Sequence, residues 1–356
     1  MKRIGLHGSY VNRNFGDTLI LKIINDWIKE YSNDINVVLP FVTSDQESVE
    51  IIGKISDKVD INELDGLIFG PGGYFGEPNK SLAQRFRWSI RNYVRHIIWN
   101  RKLFKNSVPY AIIGVGVGPV SFAFLRKRIA KLFKNAMVIT VRDIHSRNYL
   151  IQWGVREDKI NVASDVALTL RPGHVDQLTT KPKVAIHIHG VDIEATGKLK
   201  DFLHFINIIG KQHELFIIED EVNQFDNDRL NNIRNVLKRN EVNLPVIKYR
   251  NPEALIEELQ KTDIIITSKL HVGIVGYALG KKVLSLPVHS KTLRFYEQIK
   301  RSEFCIPIAN VNSDRLLEAF NMLGNIDNSR NILFDDASMH KDFVFRFLEL
   351  VYKRNN

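Results

Sequence analysis

A histidine between two lysines is the feature of this sequence best suited to chemistry. The stretch SKLHVGIVGYALGKKVLSLPVHSK, residues 268–291, places His271 after an apolar strand-like run, with Lys269 just before it and Lys291 beyond the next strand. Neighbouring cations favour a neutral imidazole until an anion arrives, which suits a group that gives and takes a proton. The pattern therefore predicts acid–base chemistry on an anionic substrate, with Lys269 and Ser268, which can also cap the helix, among the substrate-binding residues. A buried structural histidine is the alternative.

A polar turn with glycine follows the first predicted strand. The segment NFGD places Asn14, Gly16 and Asp17 ahead of a helix predicted to begin near Thr18. The N–H groups at a helix start suit anions and sugar hydroxyls, so we expect these residues to contact substrate. A well-formed turn in which Asp17 caps the helix is the alternative.

Two glycine-rich turns are predicted after later apolar strands. FGPGGYFG contains Gly72 and Gly73, and GVGVGP contains Gly116 and Gly118. Glycine lets the backbone approach a ligand closely, so these positions are predicted to form the floor of a substrate site. Tight turns without a ligand explain the same residues.

Charged or imidazole side chains end three more predicted strands. VRD supplies Arg142, which suits a substrate contact or an ion pair with Asp143, and SDVALTL supplies Asp165, for which a bracing role is expected. His187 and His189 share one face of KVAIHIHG, but no third ligand stands at a matching spacing, so no metal is expected. His189 is predicted to line the substrate cleft.

Short β-rich apolar runs alternate with helical patterns along the chain. This alternation predicts an α/β fold of two Rossmann-like, doubly wound domains that face a cleft. The join LRPGHVDQLTTKPK separates a predicted domain 1–175 from a domain 176–356, whose terminal helix is expected to pack back on the first domain. Ligands are expected at the carboxyl ends of the strands. The strand candidates are KRIGLHG, INVVLPFV, GLIFGPGG, VPYAIIGVGVGP, MVITVRD, INVASDVAL, KVAIHIHG, ELFIIED, LPVIKYR, DIIITS, KKVLSLP and FCIPIAN.

Composition and charge narrow the class of protein. At 356 residues, with 44% hydrophobic residues, the chain is typical of a globular protein of about two domains. A single cysteine, Cys305, excludes an internal disulfide and favours a reducing compartment. The opening MKRIGLHGSY has no apolar signal segment, so a cytoplasmic location is expected. The net charge of +10 favours anionic partners.

A basic segment, QRFRWSIRNYVRHIIWNRKLFK (84–105), carries seven Lys/Arg and no acid. It is predicted to form an amphipathic helix that attaches to an anionic membrane surface, helped by the basic cluster RKRIAKLFK (126–134). A solvated basic face or a nucleic-acid patch is the alternative, but no motif supports nucleic acid, and no such partner is expected. A helical wheel puts Arg87, Trp88, Arg91, Arg95, Trp99 and Lys102 on one face and Phe86, Ile90, Tyr93, Val94, Ile97 and Phe104 on the other.

Taken in order, these motifs resemble the polysaccharide pyruvyl transferase family. The family pattern runs N-x-G-D, a glycine triplet, G-x-G-x-G-P, R-D, D-x-x-L, R-L-H and a later lysine. This sequence has NFGD, GPGG, GVGVGP, VRD, SDVALTL, SKLHVGIVGYALG and HSK across residues 14–291. The resemblance implies two Rossmann-like domains arranged as in GT-B glycosyltransferases. It also implies transfer of the pyruvyl group of phosphoenolpyruvate to two sugar hydroxyls, giving a cyclic ketal and phosphate.

The resemblance implies roles for individual residues. His271 would be the general acid or base, while Arg142 and Lys291 would hold the carboxylate and the phosphate of phosphoenolpyruvate, with no metal and no cofactor. Two positions depart from the family pattern. Lys269 stands where the family has arginine, so a point charge replaces a bidentate grip, and Pro71 interrupts the glycine triplet.

The basic segment and the resemblance together predict the acceptor and the location. We expect a saccharide linked to polyprenyl diphosphate, met at the inner face of a membrane by a peripherally bound enzyme of cell-surface polysaccharide biosynthesis. A sugar-nucleotide glycosyltransferase of the same fold is one alternative. A non-catalytic protein that binds anionic lipid or nucleic acid is the other.

Overall fold

The computed structural model describes residues 1–8, 10, 14–40, 60–78, 80–98, 100–173, 181–220, 231–326 and 332–354. Contacts divide the chain into two compact units. The first unit comprises Met1–Arg13, Asp17–Val166 and Asp335–Asn356, and the second comprises Asn14–Gly16 and Ala167–Phe334. The predicted boundary at 175/176 falls outside the described residues, and the contacts change unit between residues 166 and 167. The terminal helix, predicted as part of the second domain, belongs to the first unit.

The first unit is built on a parallel sheet of seven strands in the described residues. Its order is β2-β1-β3-β5-β6-β7, and β4 pairs with β5 beside that path. The longest strand, β5, is buried along its whole length, as expected of a strand covered on both faces. The strands are β1 Lys2–His7, β2 Ile35–Val38, β3 Gly66–Phe69, β4 Gly72–Phe75, β5 Tyr110–Val117, β6 Val138–Val141 and β7 Asn161–Val162.

The second unit holds a parallel sheet of five strands among its described residues. Its order is β10-β9-β8-β11-β12, so β11 lies between the central strand β8 and the edge strand β12. The apolar run IIIT of β11 is fully buried, which explains why no alternation marks it in the sequence. The strands are β8 Lys183–His187, β9 Glu214–Ile218, β10 Val246–Ile247, β11 Ile264–Thr267 and β12 Lys282–Ser285.

Helices connect the strands in both units. Several begin at a polar cap: the Asn251 side chain accepts a hydrogen bond from the Ala254 N–H (2.8 Å). The α-helices are α1 Phe15–Tyr31, α2 Leu82–Asn92, α3 Asn100–Lys105, α4 Ala123–Asn135, α5 Ile144–Gln152, α6 Gly190–Ala195, α7 Leu199–Ile209, α8 Asn231–Arg239, α9 Pro252–Gln260, α10 Leu270–Ala278, α11 Ser290–Gln298, α12 Ser313–Gly324 and α13 Phe334–Lys353. A π-helical turn spans Tyr93–Ile97, and 3₁₀ turns span Ile61–Glu63, Glu157–Lys159, Val166–Thr169, Ser302–Phe304 and Ile308–Asn310.

The terminal helix α13 is fixed to the first unit by a buried histidine. His340 lies 2.8 Å from the Thr140 hydroxyl through Nδ1 and 2.8 Å from the Ser164 carbonyl oxygen through Nε2. Burial lowers the pKa of His340, so the ring is neutral and donates one of these hydrogen bonds while it accepts the other. Asp336 in turn accepts the Ser164 N–H (2.6 Å).

Three local predictions differ from the structure. Helix α1 begins at Phe15, earlier than Thr18, so Gly16 and Asp17 lie in its first turn. The segment FCIPIAN, predicted as a strand, instead contains one isolated bridge at Cys305 between two 3₁₀ turns. The predicted glycine turns lie largely within strands, since Gly72 and Gly73 are in β4 and Gly116 is in β5.

The basic segment 84–105 is not one helix with the predicted faces. It comprises α2, the π-helical turn and α3, and Trp99 lies outside the described residues. Phe86, Ile90 and Val94 are exposed, whereas Ile97 is buried. The sequence pattern sorts these residues into two faces, but it does not predict which face points outward.

Candidate active site

His271 lies in the first turn of α10, directly after strand β11. The ring packs against Gly16, which clusters with the second unit: a Cβ added to Gly16 would lie 2.1 Å from His271 Nδ1. Only a residue without a side chain can therefore occupy position 16 while the imidazole keeps its place. The NFGD turn therefore contacts His271 through Gly16, which the sequence did not predict.

A buried carboxylate that the sequence analysis did not single out connects three neighbouring strands of the second unit. Asp220 follows β9, and its oxygens lie 3.0 Å from His187 Nε2 and 3.2 Å from Lys269 Nζ. Its backbone oxygen also accepts the Phe15 N–H (2.7 Å). Parallel strands end at one sheet edge, which is why residues after β9, at the end of β8 and after β11 meet here.

The charges in this network are set by burial and by one another. Burial alone would raise the pKa of Asp220, but His187 and Lys269 lower it below the usual range of a carboxyl, so Asp220 is ionised. Burial, together with the charges of Lys269 and His187, lowers the pKa of His189 to about 4. The site thus holds the ionised carboxylate of Asp220 beside the neutral imidazole of His189.

The backbone of this edge is fixed by hydroxyl groups. The Thr267 hydroxyl accepts the Lys269 N–H (3.0 Å) and lies 3.2 Å from His187 Nδ1. Ser268, predicted to cap α10, instead accepts the His189 N–H (3.2 Å), and the N-cap of α10 is Lys269. Helix α10 therefore begins at a cation without a side-chain cap.

Lys291 lies at the neighbouring helix start. Helix α11 follows β12, the strand next to β11, and it too has an N-cap residue, His289, whose side chain makes no capping bond. Lys291 is exposed in the first turn of α11, and α10 contacts α11. The structure therefore places Lys291 and His271 in the first turns of adjacent helices at the carboxyl edge of the same sheet.

Arg142 belongs to the first unit and is buried among carboxylates. Its Nη1 lies 3.4 Å from Asp165 and its Nε lies 3.8 Å from Asp143. Asp143 also caps α5 by accepting the Ser146 N–H (2.6 Å). The ion pair that the sequence left open is thus present, and Asp165 has the bracing position expected of it.

The glycines of the first unit make room for protein atoms. A Cβ on Gly116 would lie 2.6 Å from the Arg142 guanidinium, and one on Gly76 would lie 2.8 Å from the backbone of Gly118. Gly72 has a φ of +145°, in a region that L side chains rarely adopt, and a Cβ on Gly73 would lie 3.6 Å from Arg142. Close packing accounts for Gly76 and Gly116 and backbone conformation for Gly72, whereas the contact at Gly73 is an ordinary one.

The remaining predicted positions divide between the units. Asn14 clusters with the second unit, as Gly16 does, whereas Asp17 clusters with the first. His187 is buried and His189 is partly exposed, with His189 Nδ1 lying 3.3 Å from Asp192. Within the described ranges, no group of three His, Cys, Asp or Glu residues could hold a metal ion.

The second unit's edge therefore combines a histidine, a nearby exposed lysine and two helix starts without side-chain caps. Helix N-termini carry partial positive charge and favour anions. A phosphate or carboxylate placed there would meet N–H dipoles, cations and a group able to exchange a proton.

The model of the polysaccharide pyruvyl transferase family matches residues 14–290. The chain belongs to this family. The match contains every site residue predicted from the sequence except Lys291, which follows its last residue directly. No curated protein matches the chain in sequence.

Solved structures of low sequence identity share the fold of this pyruvyl transferase family member. UDP-GlcNAc 2-epimerase of Neisseria meningitidis bound to UDP-GlcNAc is 12% identical over 97% of this chain and 100% of its own, with a TM-score of 0.58. S. aureus MnaA with UDP is 11% identical over 100% and 97%, with a TM-score of 0.59. Anabaena Alr3699/HepE with UDP and glucose is 13% identical over 99% of both chains, with a TM-score of 0.56. The predicted GT-B-like fold class of two parallel-sheet α/β units is confirmed.

Proposed function

We propose that this family member transfers the pyruvyl group of phosphoenolpyruvate to two hydroxyls of a saccharide, forming a cyclic ketal and releasing phosphate. The observation that carries the proposal is His271 in the first turn of α10, beside Gly16 and within the family match. No cofactor takes part, since phosphoenolpyruvate itself supplies the activated group.

The reaction needs one proton delivered to carbon and two removed from oxygen. Protonation of the methylene carbon turns it into a methyl group and gives the neighbouring carbon oxocarbenium character, and a sugar oxygen then bonds to that carbon. The C–O bond to phosphate breaks, the phosphate leaves with its electron pair, and the second hydroxyl closes the ring. Of the two protons that the sugar hydroxyls lose, one balances the proton gained by the methylene carbon, and the other leaves with the phosphate. We assign His271 to these transfers because it is the imidazole in the first turn of α10 and the residue as a whole is partly exposed, with its Nε2 atom buried.

The two helix starts of the second unit are proposed to hold the donor. Neither Lys269 at α10 nor His289 at α11 caps its helix with a side chain, so the positive ends of both helices suit phosphate and carboxylate. We assign the phosphate to Lys291, as the resemblance implies, because it is exposed in the first turn of α11. Because Asp220 forms an ion pair with Lys269 (3.2 Å), we assign a positioning role to this lysine, which stands where the family has arginine.

Arg142 is proposed to act differently from the role that the resemblance implies. Its guanidinium lies within 4 Å of two carboxylates, Asp165 and Asp143, and its side chain is buried. An arginine that already pairs with two carboxylates is better suited to holding the glycine-rich edge in shape than to binding a third.

The acceptor is proposed to be a saccharide linked to polyprenyl diphosphate, met at the inner face of a membrane. The basic segment 84–105, with seven Lys/Arg and no acid, supports an anionic membrane surface as the partner. The enzyme would then act in cell-surface polysaccharide biosynthesis while peripherally bound.

The reaction is tested by incubating the full chain with phosphoenolpyruvate and candidate saccharides, both soluble and lipid-linked. We expect phosphate release that depends on the acceptor, together with the mass gain of a pyruvate ketal on the sugar. Phosphate release without a ketal on any sugar would contradict the proposal.

A sugar-nucleotide transferase is the second candidate, since the similar folds include complexes with UDP and UDP-GlcNAc. Thermal unfolding separates the two candidates. Phosphoenolpyruvate should raise the midpoint if the pyruvyl proposal is right, because a ligand that binds only the folded state stabilises it. A rise with UDP-sugars alone would favour the second candidate.

A further inference from the structure

A row of exposed apolar side chains runs along the outside of α2 and the π-helical turn of the first unit. We name this row the outer ridge: Leu82, Phe86, Ile90, Val94 and Ile98, which are between 39% and 67% exposed. Phe124, also exposed, lies near its start, where Phe86 meets Phe122 edge to face at 5.2 Å. Single exposed apolar residues are ordinary, but a contiguous row marks an interaction surface.

The side of this segment that faces the protein includes three buried polar residues as well as the buried Ile97. Ser89, Asn92 and His96 are buried. The Asn92 amide donates to the Tyr74 carbonyl oxygen, and His96 stacks on the Tyr74 ring (4.6 Å between centroids). His96 Nδ1 also lies 2.9 Å from His7 Nε2. These polar anchors fix which face of the segment points outward.

The π-helical turn limits the drift of the last member of the ridge around the helix axis. In an α-helix of 3.6 residues per turn, each step of four residues advances the side chain about 40° around the axis, so a row spaced by four drifts. The Ile98 N–H bonds to the Tyr93 carbonyl oxygen, five residues back (2.9 Å). This wider turn rotates less per residue, which brings Ile98 back towards the line of the earlier members.

Cations surround the ridge. Arg87, Arg91 and Arg95 are exposed beside it, and α4, which packs on the π-helical turn, carries five Lys/Arg. Residues 82–135 contain no Asp or Glu. The surface therefore combines a bulky apolar row with a one-sided positive charge.

We infer that the outer ridge inserts into the interface of an anionic lipid bilayer, with the flanking arginines on the headgroups. A second copy of this chain would bring like charges together, and aliphatic side chains offer nucleic acid no stacking rings. No described helix is long and apolar enough to cross a membrane, so the segment lies in the plane of the interface. This inference deepens the proposed function by stating how the membrane is held, through insertion as well as charge.

Flotation of the full chain with vesicles tests insertion directly. Vesicles of phosphatidylcholine with about one third phosphatidylglycerol should bind the protein, and part of the binding should survive about 0.5 M salt, which screens charge but not apolar burial. The variant Phe86→Ser/Ile90→Ser/Val94→Ser should bind about tenfold or more weakly and lose the salt-resistant part. Arg87→Gln/Arg91→Gln/Arg95→Gln should lose mainly the salt-sensitive part.

Matched controls separate the ridge from general effects. Met322→Ser removes a side chain that is 44% exposed, as Ile90 is, but on α12 of the second unit, and it should bind as the unaltered chain does. Phe86→Trp keeps the ridge apolar and should bind at least as tightly. Comparable circular dichroism among the variants establishes that they are folded.

Three outcomes would overturn the inference. The first is absence of binding to the anionic vesicles, and the second is undiminished binding by the serine variant. The third is that the unaltered chain sediments as a dimer whereas the serine variant sediments as a monomer. Because the experiment contains neither phosphoenolpyruvate nor acceptor, its failure leaves the pyruvyl reaction to be judged by its own assay.

Discussion

Two strand-to-helix edges, one in each unit, carry similar residues in different surroundings. At the end of β6, Arg142 precedes α5 and His145 is the second residue of that helix. At the end of β11, Lys269 precedes α10 and His271 is the second residue of that helix. A cation and a histidine thus stand at a helix start in both places.

The surroundings give the two edges different capacities. Asp143 caps α5 and, with Asp165, surrounds Arg142, so the positive charge of the first edge is neutralised by the protein. In the second unit, Asp220 forms an ion pair with Lys269, but α10 has no side-chain cap. The second edge thus has a helix start without a side-chain cap, whereas the helix start and the cation of the first edge are both paired with carboxylates of the protein.

The largest expected difference between the edges is in turnover. His271→Ala should lower kcat by about 10²- to 10⁴-fold, the usual contribution of a positioned acid or base, while His145→Ala should leave it within about twofold. Phosphate release from phosphoenolpyruvate in the presence of acceptor measures both.

The control for this prediction is folding. Thermal unfolding of both alanine variants should give midpoints near that of the unaltered chain, because neither ring is fully buried. Equal loss of turnover in the two variants, or full turnover in His271→Ala, would contradict the assignment of His271.

The next prediction concerns Asp220 and Asp165, the buried carboxylates that pair with Lys269 and Arg142. Asp220→Asn should reduce the free energy of unfolding by about 3 kcal/mol, because it leaves His187 and Lys269 without their shared buried anion. Asp165→Asn should cost about 1 kcal/mol, since Arg142 keeps Asp143. Urea titration measures the total, and hydrogen exchange of α10 against α5 locates it. Equal losses would mean that the two networks are equivalent.

The fold and the motif edges were predictable from sequence because buried parallel strands leave continuous apolar runs. Runs such as YAIIGVGV and IIIT mark β5 and β11 without further information. The basic segment was predicted as helical, but its outward face could not be predicted, because two of its inward anchors, Asn92 and His96, are polar and bond to residues far away in sequence.

Asp220 shows what the sequence could not supply. It stands at the end of ELFIIED, and a strand-end acid is commonly a cap or a loop residue. Its role follows from the strand order β9-β8-β11, which places Asp220 beside His187 and Lys269. These residues are far apart in sequence, so no local sequence pattern indicates the contacts. The signal that could have found it is the strand-end rule itself, applied to every predicted strand.

The smallest expected effect comes from the glycines on which the two edges rest. Gly16→Ala puts a Cβ 2.1 Å from His271 Nδ1, and the partly exposed ring can rotate away, so kcat should fall about tenfold with little loss of stability. Gly116→Ala puts a Cβ 2.6 Å from the enclosed Arg142 guanidinium, which cannot move without leaving its carboxylates, so the loss should appear mainly as a lower free energy of unfolding. Steady-state kinetics and urea titration of both variants check this division. If Gly16→Ala kept full kcat, the contact with Gly16 would not position His271 for the reaction.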